Sequence, residues 1–501
     1  MNQNALLALC LILSSVFVVY SVHFDYPLAF HSEEYDHLIL AKETVQGEKI
    51  AIGFNWELGF SVFFAVLNTL LLNNLNSMLV FIPIVFALII SFSSFLLGRY
   101  LFKSRLAGIF FGIFSLMIPS NPGVMGLMFA VPNSMALSLA PMLVYLFLKG
   151  TASKKTAFIF MFLLAFNTII HPAFTLLLIP VITVYLLLNP KLFEKNQLKI
   201  AVGIILLIIL FPLFASRIGL EEVSLSHDTI TSISKNISKV LVWESITHYS
   251  PKFFLVDFLG NYILILACLG FGAIIMLRLL IEFQRKKGKQ SAMEKDFTVS
   301  KHQIILPIAL AVFGLLYIHF NLKDYTFIAP YERTFLELML VLLLSAASGA
   351  FLLWKTISKI KQDTVKPLSA ALILLILFLF LTVPFSQESQ LYKNIEPAGI
   401  SSLEWIKEFT PKKSSFIALP DNSLVIRAFT ERKIFASPPT RAGIPDDFQL
   451  ESFFIKSCQQ KDITINATKA DYLFTEKEIE CNSIEKIYDK KSYKIYKTLE
   501  P

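Results

Sequence analysis

The sequence predicts an α-helical polytopic membrane protein of about eleven transmembrane helices, completed by a C-terminal extracytoplasmic α/β domain. Three observations carry this prediction. Of 501 residues, 55% are hydrophobic and only 16% charged, against about 25% charged in an ordinary soluble domain. The mean hydropathy is +0.62, and it is concentrated in runs of about 20 apolar residues, the length a hydrocarbon core of roughly 30 Å requires. After Pro384 the composition turns abruptly to Lys, Glu, Asp and Ser with short apolar stretches. We therefore divide the chain into a transmembrane domain, 1–384, with a large first outer loop at 23–76, and an extracytoplasmic domain, 385–501.

Long apolar runs fall near 4–22, 56–72, 77–98, 132–149, 172–188, 200–216, 257–281, 303–320, 333–354 and 367–384, with shorter ones at 106–119 and 157–170. The first has no basic residues before it and no small-residue cleavage site after Tyr20, so it reads as a span with a cytoplasmic N-terminus. The net charge of +8 informs orientation and does not point to nucleic acid. The clusters Arg99/Lys103/Arg105, Lys149/Lys154/Lys155, Lys191/Lys195/Lys199, Arg285/Lys286/Lys287/Lys289 and Lys355/Lys359/Lys361 should all face the cytoplasm. They do so together if 56–72 lies in the outer interface and both short runs span; an ordinary span at 56–72 is the alternative, and it inverts every later loop. The chain is thus expected in the plasma membrane, with its C-terminal domain outside.

Within the tail, Ser401-Ser402 ahead of Leu403–Phe409 reads as a capped amphipathic helix ending at Thr410-Pro411. Phe416–Leu419, Lys433–Ala436, Asp471–Phe474, Ile484–Tyr488 and Tyr493–Tyr496 read as strands, and Leu424–Phe429 and Asp446–Cys458 as helices. Such alternation argues a small α/β sandwich. Of the four cysteines, no two have zinc-ligand spacing. Cys458 and Cys481 are the two in the outer domain, where a disulfide or a pair of buried thiols would each fit. Asn236-Ile237-Ser238 and Asn466-Ala467-Thr468 are glycosylation sequons on the expected outer side.

The first outer loop is the acidic segment of a basic chain: Asp25, Glu33, Glu34, Asp36, Glu43, Glu48 and Glu57 face only Lys42 and Lys49. Carboxylates at an outer mouth can act as a general base or ligate a divalent cation; they are equally at home as a solvated acidic surface. His31, His37 and His171 could line the same mouth, and His37 follows Glu33 by four residues, one helical turn. Each histidine alone also fits a capping or interface role. Arg333 opens the run 333–354, and an Arg at the bilayer edge is costly unless it is paired or snorkels. A lipid phosphate is a natural bidentate partner; snorkelling, or pairing with Glu332 or Glu337, is the alternative. There is no phosphate-binding Gly loop and no HExxH.

This arrangement resembles the GT-C superfamily of polyprenyl-phosphate-dependent membrane glycosyltransferases, most nearly the catalytic subunit of oligosaccharyltransferase and more loosely the protein O-mannosyltransferases. Ser32-Glu33-Glu34-Tyr35-Asp36-His37-Leu38 is similar to that family's first-loop motif, an acidic residue followed four positions later by His or Asn. Phe81–Arg99 and Ala107–Pro119 are similar to its second and third spans. Tyr331-Glu332-Arg333-Thr334-Phe335 resembles the late-span segment that meets the donor phosphate, and Leu403–Pro411 the first helix of the outer domain. The chain departs from the family at Ala130–Ser134, where a second-loop acidic pair is absent, and at Leu419–Ser423, where only Asp421 matches the acceptor-reading WWDYG motif.

The resemblance implies transfer of a sugar from a polyprenyl-phosphate-linked donor to a glycan, lipid or protein acceptor outside the membrane. Glu33 or Glu34 would be the catalytic base, Arg333 the donor-phosphate ligand, and Asp36, His37 and His171 would line the site. A divalent cation, Mg or Mn, is optional, since the second-loop ligands are missing. The rival expectation is a non-catalytic lipid or polyisoprenoid carrier, or a scaffold that kept this fold without its chemistry.

Overall fold

A computed structural model describes residues 3–23, 29, 32–46, 58–70, 75–120, 125–150, 153–189, 242–244, 254–286, 301–323, 325–327, 331–360, 395–435, 453–490 and 492–499. The apolar runs at 200–216 and 367–384 and the sequon at Asn236 lie outside these residues, as do Asp25, His31, Glu48 and Glu57. The chain divides into two units: 1–25, 56–60 and 81–391 form one, and 26–55, 61–80 and 392–501 the other.

The first unit is helical because nearly every residue in it must satisfy its backbone internally. Its described helices are α1 (Gln3–His23), most of α4 (Leu75–Phe102), α5 (Arg105–Phe114) with a 3-10 turn at Ser115–Met117, α6 (Pro132–Gly150), α7 (Lys154–Ile170), α8 (Pro172–Leu188), α9 (Leu255–Lys286), α10 (Ile305–Lys323) and α11 (Tyr331–Ile360). A short antiparallel pair joins β1 (Val242–Glu244) to β2 (Tyr325–Phe327), which precedes α11 in sequence. Among the described residues four helices are long and apolar enough to cross a membrane: Phe81–Phe102, Leu259–Ile281, His302–Lys323 and Tyr331–Thr356. Shorter apolar helical stretches lie at Leu7–Val19, Arg105–Met117 and Pro172–Leu188.

Helix α11 is the most enclosed of the four and α9 the least. The α9 sequence shows why. Ile263, Ala267, Ile274 and Ile281 are buried at helical spacing, whereas Ile265, Leu269, Met276, Leu279 and Phe283 are exposed although apolar, the signature of a helix with one face on protein and one on lipid. The buried face meets α11 backbone to backbone. A Cβ on Gly270 would stand 2.0 Å from the Ser345 carbonyl oxygen, and one on Gly349 2.3 Å from the Leu266 oxygen. The facing pairs Leu266/Gly270 and Ser345/Gly349, each four residues apart, make a small-residue contact of the kind that packs helices in lipid. Two buried polar pairs elsewhere in the unit tie segments together: Gln303 Nε2 donates to the Leu101 carbonyl at 3.0 Å, and the Tyr185 hydroxyl meets His302 Nδ1 at 2.6 Å.

The second unit joins α2 (Ser32–Gln46), most of α3 (Leu58–Leu70) and the C-terminal region. The C-terminal elements are α12 (Pro397–Phe409), β3 (Ser415–Ala418), α13 (Pro420–Thr430), β4 (Lys433–Ile434), α14 (Cys458–Thr468), β5 (Tyr472–Thr475), β6 (Ile484–Lys490) and β7 (Tyr493–Thr498). The five strands form a mixed sheet of order β4-β3-β5-β7-β6. Strand β3 runs parallel to β4 and β5, while β7 runs antiparallel to β5 and β6. Each parallel connection passes through a helix, as such crossovers require. Every residue of β3 and β5 is buried, which explains their continuous apolar sequence. Ile417, Phe453, Phe454, Leu473 and Tyr496 form one core cluster.

Several boundaries differ from the sequence expectation, among them the start of α13 at Pro420, one turn before Leu424. Helix α12 starts at Pro397, with Pro in the first turn, one turn before the Ser pair; Pro loses no hydrogen bond there. Helix α14 starts at Cys458, after a 3-10 turn at Phe453–Ile455, where a helix was expected to end. Its sequence, CQQKDITINAT, has no apolar stripe to announce it. Cys458 and Cys481 are joined by a disulfide closing 23 residues of separation, a loop whose closure is worth about 3 kcal/mol in the chain-entropy view. Buried Arg432 holds the end of α12: its guanidinium donates to the carbonyls of Thr410 at 2.6 Å, Lys407 at 3.0 Å and Thr430 at 2.7 Å, satisfying carbonyls that a helix terminus leaves open. Burial lowers its pKa.

Candidate active site

The acidic motif of the first loop is helical. Glu33 and Glu34 occupy the first turn of α2, where the helix dipole favours negative charge. The helical turn separates the two carboxylates sharply. Glu34 is fully buried, while the Glu33 side chain keeps 24% of its surface exposed, so Glu33 is the carboxylate of the pair that a substrate could reach. Asp36 is partly buried.

One turn on, His37 is 3% exposed, and its Nε2 stands 4.0 Å from Glu33 Oε1. On its other edge Nδ1 lies 3.3 Å from the hydroxyl of Ser61 on α3. Ser61 is itself fully buried. Glu33, His37 and Ser61 thus lie in a line, all within the second unit. Spacing anticipates the first pair; Ser61 escaped sequence reasoning, its one signal being a hydroxyl among the apolar residues Leu58–Leu67.

The rest of α2 is fixed on α13. Lys42 Nζ donates to the Ala428 carbonyl at 2.6 Å and lies 3.6 Å from Glu431; burial lowers its pKa and Glu431 opposes the shift. Arg427 forms an ion pair with Glu43. The Tyr35 ring, fully buried, packs 6.2 Å from Phe429, and its hydroxyl donates to the Ala29 carbonyl at 3.0 Å. The helix with the acidic motif and the one that begins Pro420-Asp421 are therefore neighbours in the second unit, although 374 or more residues separate them along the chain.

Two other candidates belong to the first unit. Arg333 lies in the first turn of α11 beside Glu332. Its Nε has no hydrogen-bond partner among the described residues, nor does Oε1 of Glu337, one turn on. Tyr331 anchors this turn by stacking on Phe320 at 3.8 Å between ring centroids. His171 caps the corner between α7 and α8, 6% exposed, with its ring 5.2 Å from Phe174 and its backbone N–H donating to the Asn167 carbonyl.

Among the described residues no group of three or more His, Cys, Asp or Glu side chains converges as a cation site. In the second unit Glu33 and His37 offer two donors, against the six oxygens Mg takes. In the first unit Asn133 stands in the second-loop stretch, and its buried amide has no partner among the described residues.

The chain is similar in fold to several solved proteins of low sequence identity. The archaeal oligosaccharyltransferase AglB from Archaeoglobus fulgidus, solved with an inhibitory peptide and a dolichol-phosphate, superposes with a TM-score of 0.57 at 12% identity, covering 95% of this chain and 69% of that one. ArnT from Cupriavidus metallidurans, bound to undecaprenyl phosphate, gives 0.57 at 10% identity over 99% and 98% of the two chains. The arabinofuranosyltransferase AftD from Mycobacteria gives 0.52 at 11% identity, covering all of this chain and 40% of its own. The A. fulgidus enzyme has also been solved with Zn and sulfate. No protein-family model matches the sequence, and no curated protein matches it.

Proposed function

We propose that this protein is a membrane glycosyltransferase that takes a sugar from a polyprenyl phosphate or diphosphate at the outer leaflet and passes it to an acceptor hydroxyl. Neighbours of the same fold are solved with dolichol-phosphate and undecaprenyl phosphate, and this supports the donor class. In the proposed reaction the acceptor oxygen attacks the anomeric carbon while Glu33 takes its proton. The bond from that carbon to the phosphate oxygen breaks, and its electron pair leaves on the phosphate. Configuration at the anomeric carbon inverts. Arg333 is proposed to neutralise the leaving phosphate. A hydroxyl acceptor needs only one carboxylate base, and no step requires a metal. The observation that carries the reading is the accessible Glu33 carboxylate, set in the first turn of α2 within a chain of this fold.

We further propose eleven spans, with the N-terminus cytoplasmic and the domain 385–501 outside. The decisive experiment incubates membranes containing the chain with a radiolabelled polyprenyl-phosphate sugar. Label should pass to a lipid, glycan or protein fraction with the wild type and not with Glu33→Gln. No transfer from any of a panel of polyprenyl-linked sugars, with donor binding retained, would favour the carrier reading instead.

A further inference from the structure

We infer that His37 is a positioning residue for Glu33, held by Ser61 with its proton on Nε2. The inference rests on the reading of Glu33 as the base. A carboxylate can only accept hydrogen bonds, so the ring nitrogen that faces it carries the N–H. Nε2, at 4.0 Å from Glu33 Oε1, is that nitrogen. In a neutral ring Nδ1 is then the acceptor, and the Ser61 hydroxyl 3.3 Å away is the donor it needs. His37 is 3% exposed and Ser61 fully buried, so solvent does not compete for the contact between them. A hydrogen bond at one ring nitrogen selects the tautomer and thereby what the other nitrogen presents.

The functional consequence is orientation. The Nε2–H sets the orientation of the Glu33 carboxylate that takes the proton of the acceptor hydroxyl. When the acceptor attacks, its proton goes to Glu33. The side chain that fixes the base thus comes from α2 and the side chain that fixes the tautomer from α3.

Two measurements test this independently of each other. Imidazole nitrogen NMR of [15N]histidine-labelled protein in detergent at pH 8, with the His37 signals assigned by their loss in His37→Gln, should show the Nε2–H tautomer. In Ser61→Ala the same signals should move toward a tautomer mixture. A wild-type ring protonated on Nδ1 alone or on both nitrogens, or signals indifferent to Ser61→Ala, would overturn the inference whether or not the chain turns over donor. In the transfer assay, His37→Leu should lower kcat by about 10- to 100-fold, the usual cost of removing such an outer partner, with the donor KM unchanged. His37→Gln, which keeps an N–H near the Nε2 position, should recover a substantial part. Wild-type turnover by His37→Leu, where Glu33→Gln is inactive, would sink the role of His37 and leave the base standing. Wild-type turnover by Glu33→Gln would remove the base and the positioning role together.

Discussion

Glu33 and Glu34 are adjacent in sequence yet differ in exposure, the first partly open and the second fully buried. The expected outcome of Glu33→Gln is a transfer rate lower by roughly two to four orders of magnitude, because the amide keeps the shape but cannot take a proton. Glu34→Gln should instead act through folding, since it changes a group inside the protein; lowered thermal stability with turnover per folded molecule preserved is the expected signature. Equal loss of turnover in both would leave the base unassigned between them. Arg333→Ala should raise the donor KM more than it lowers kcat, since a phosphate partner is engaged before reaction as well as during it. Tyr493 carries a pH prediction. It is buried, its hydroxyl accepts from the Glu396 N–H at 3.1 Å, and burial pushes its pKa up to about 12. A phenol whose folded pKa lies above the unfolded value of about 10 contributes stability fully below pH 10 and loses it as pH rises toward 12. Melting curves should therefore fall steeply across that window, and Tyr493→Phe should flatten part of the fall. Burial raises Tyr472 and Tyr496 as well, so the remainder belongs to them.

At the scale of elements, the contact between α2 and α13 decides where the acidic motif sits. Arg427 and Glu43 pair while both remain partly exposed, 37% and 22%, so the pair contributes no more than about 1 kcal/mol. Its value is register. Arg427→Glu should lower turnover and melting temperature slightly, and adding Glu43→Arg should restore both; a double variant no better than the single would show that the pair does not position α2. None of this contact is legible in the sequence, because its partners lie more than 380 residues apart. Within one element the sequence does better. The Glu33–His37 proximity follows from one helical turn, and the α9 stripe from its spacing. Helix α14 shows the limit: without an apolar stripe, periodicity passes it over, and its start is set by the disulfide-bearing Cys458 and the core around Phe453 and Phe454.

For the whole molecule, the sharpest prediction concerns α3. Its 13 residues, Leu58–Leu70, extend about 20 Å at 1.5 Å per residue, short of the roughly 30 Å of a hydrocarbon core. Single-cysteine variants at positions 52 and 74, in a chain freed of native cysteines, should both react with a membrane-impermeant reagent added outside. Cytoplasmic reactivity at 74 would overturn the eleven-span topology.

Composition and periodicity suffice for a membrane chain with a sheet-bearing tail, since hydrophobic runs and strand alternation are short-range properties written in consecutive residues. The spacing of a short motif sufficed to set Glu33 and His37 one helical turn apart for the same reason. The difference in burial between Glu33 and Glu34, the presence of Ser61 behind His37, the seating of α2 on α13 and the glycine contact between α9 and α11 are different in kind. Each depends on which surfaces meet when distant segments pack, and burial and long-range pairing leave no local trace for a reader of the chain to follow.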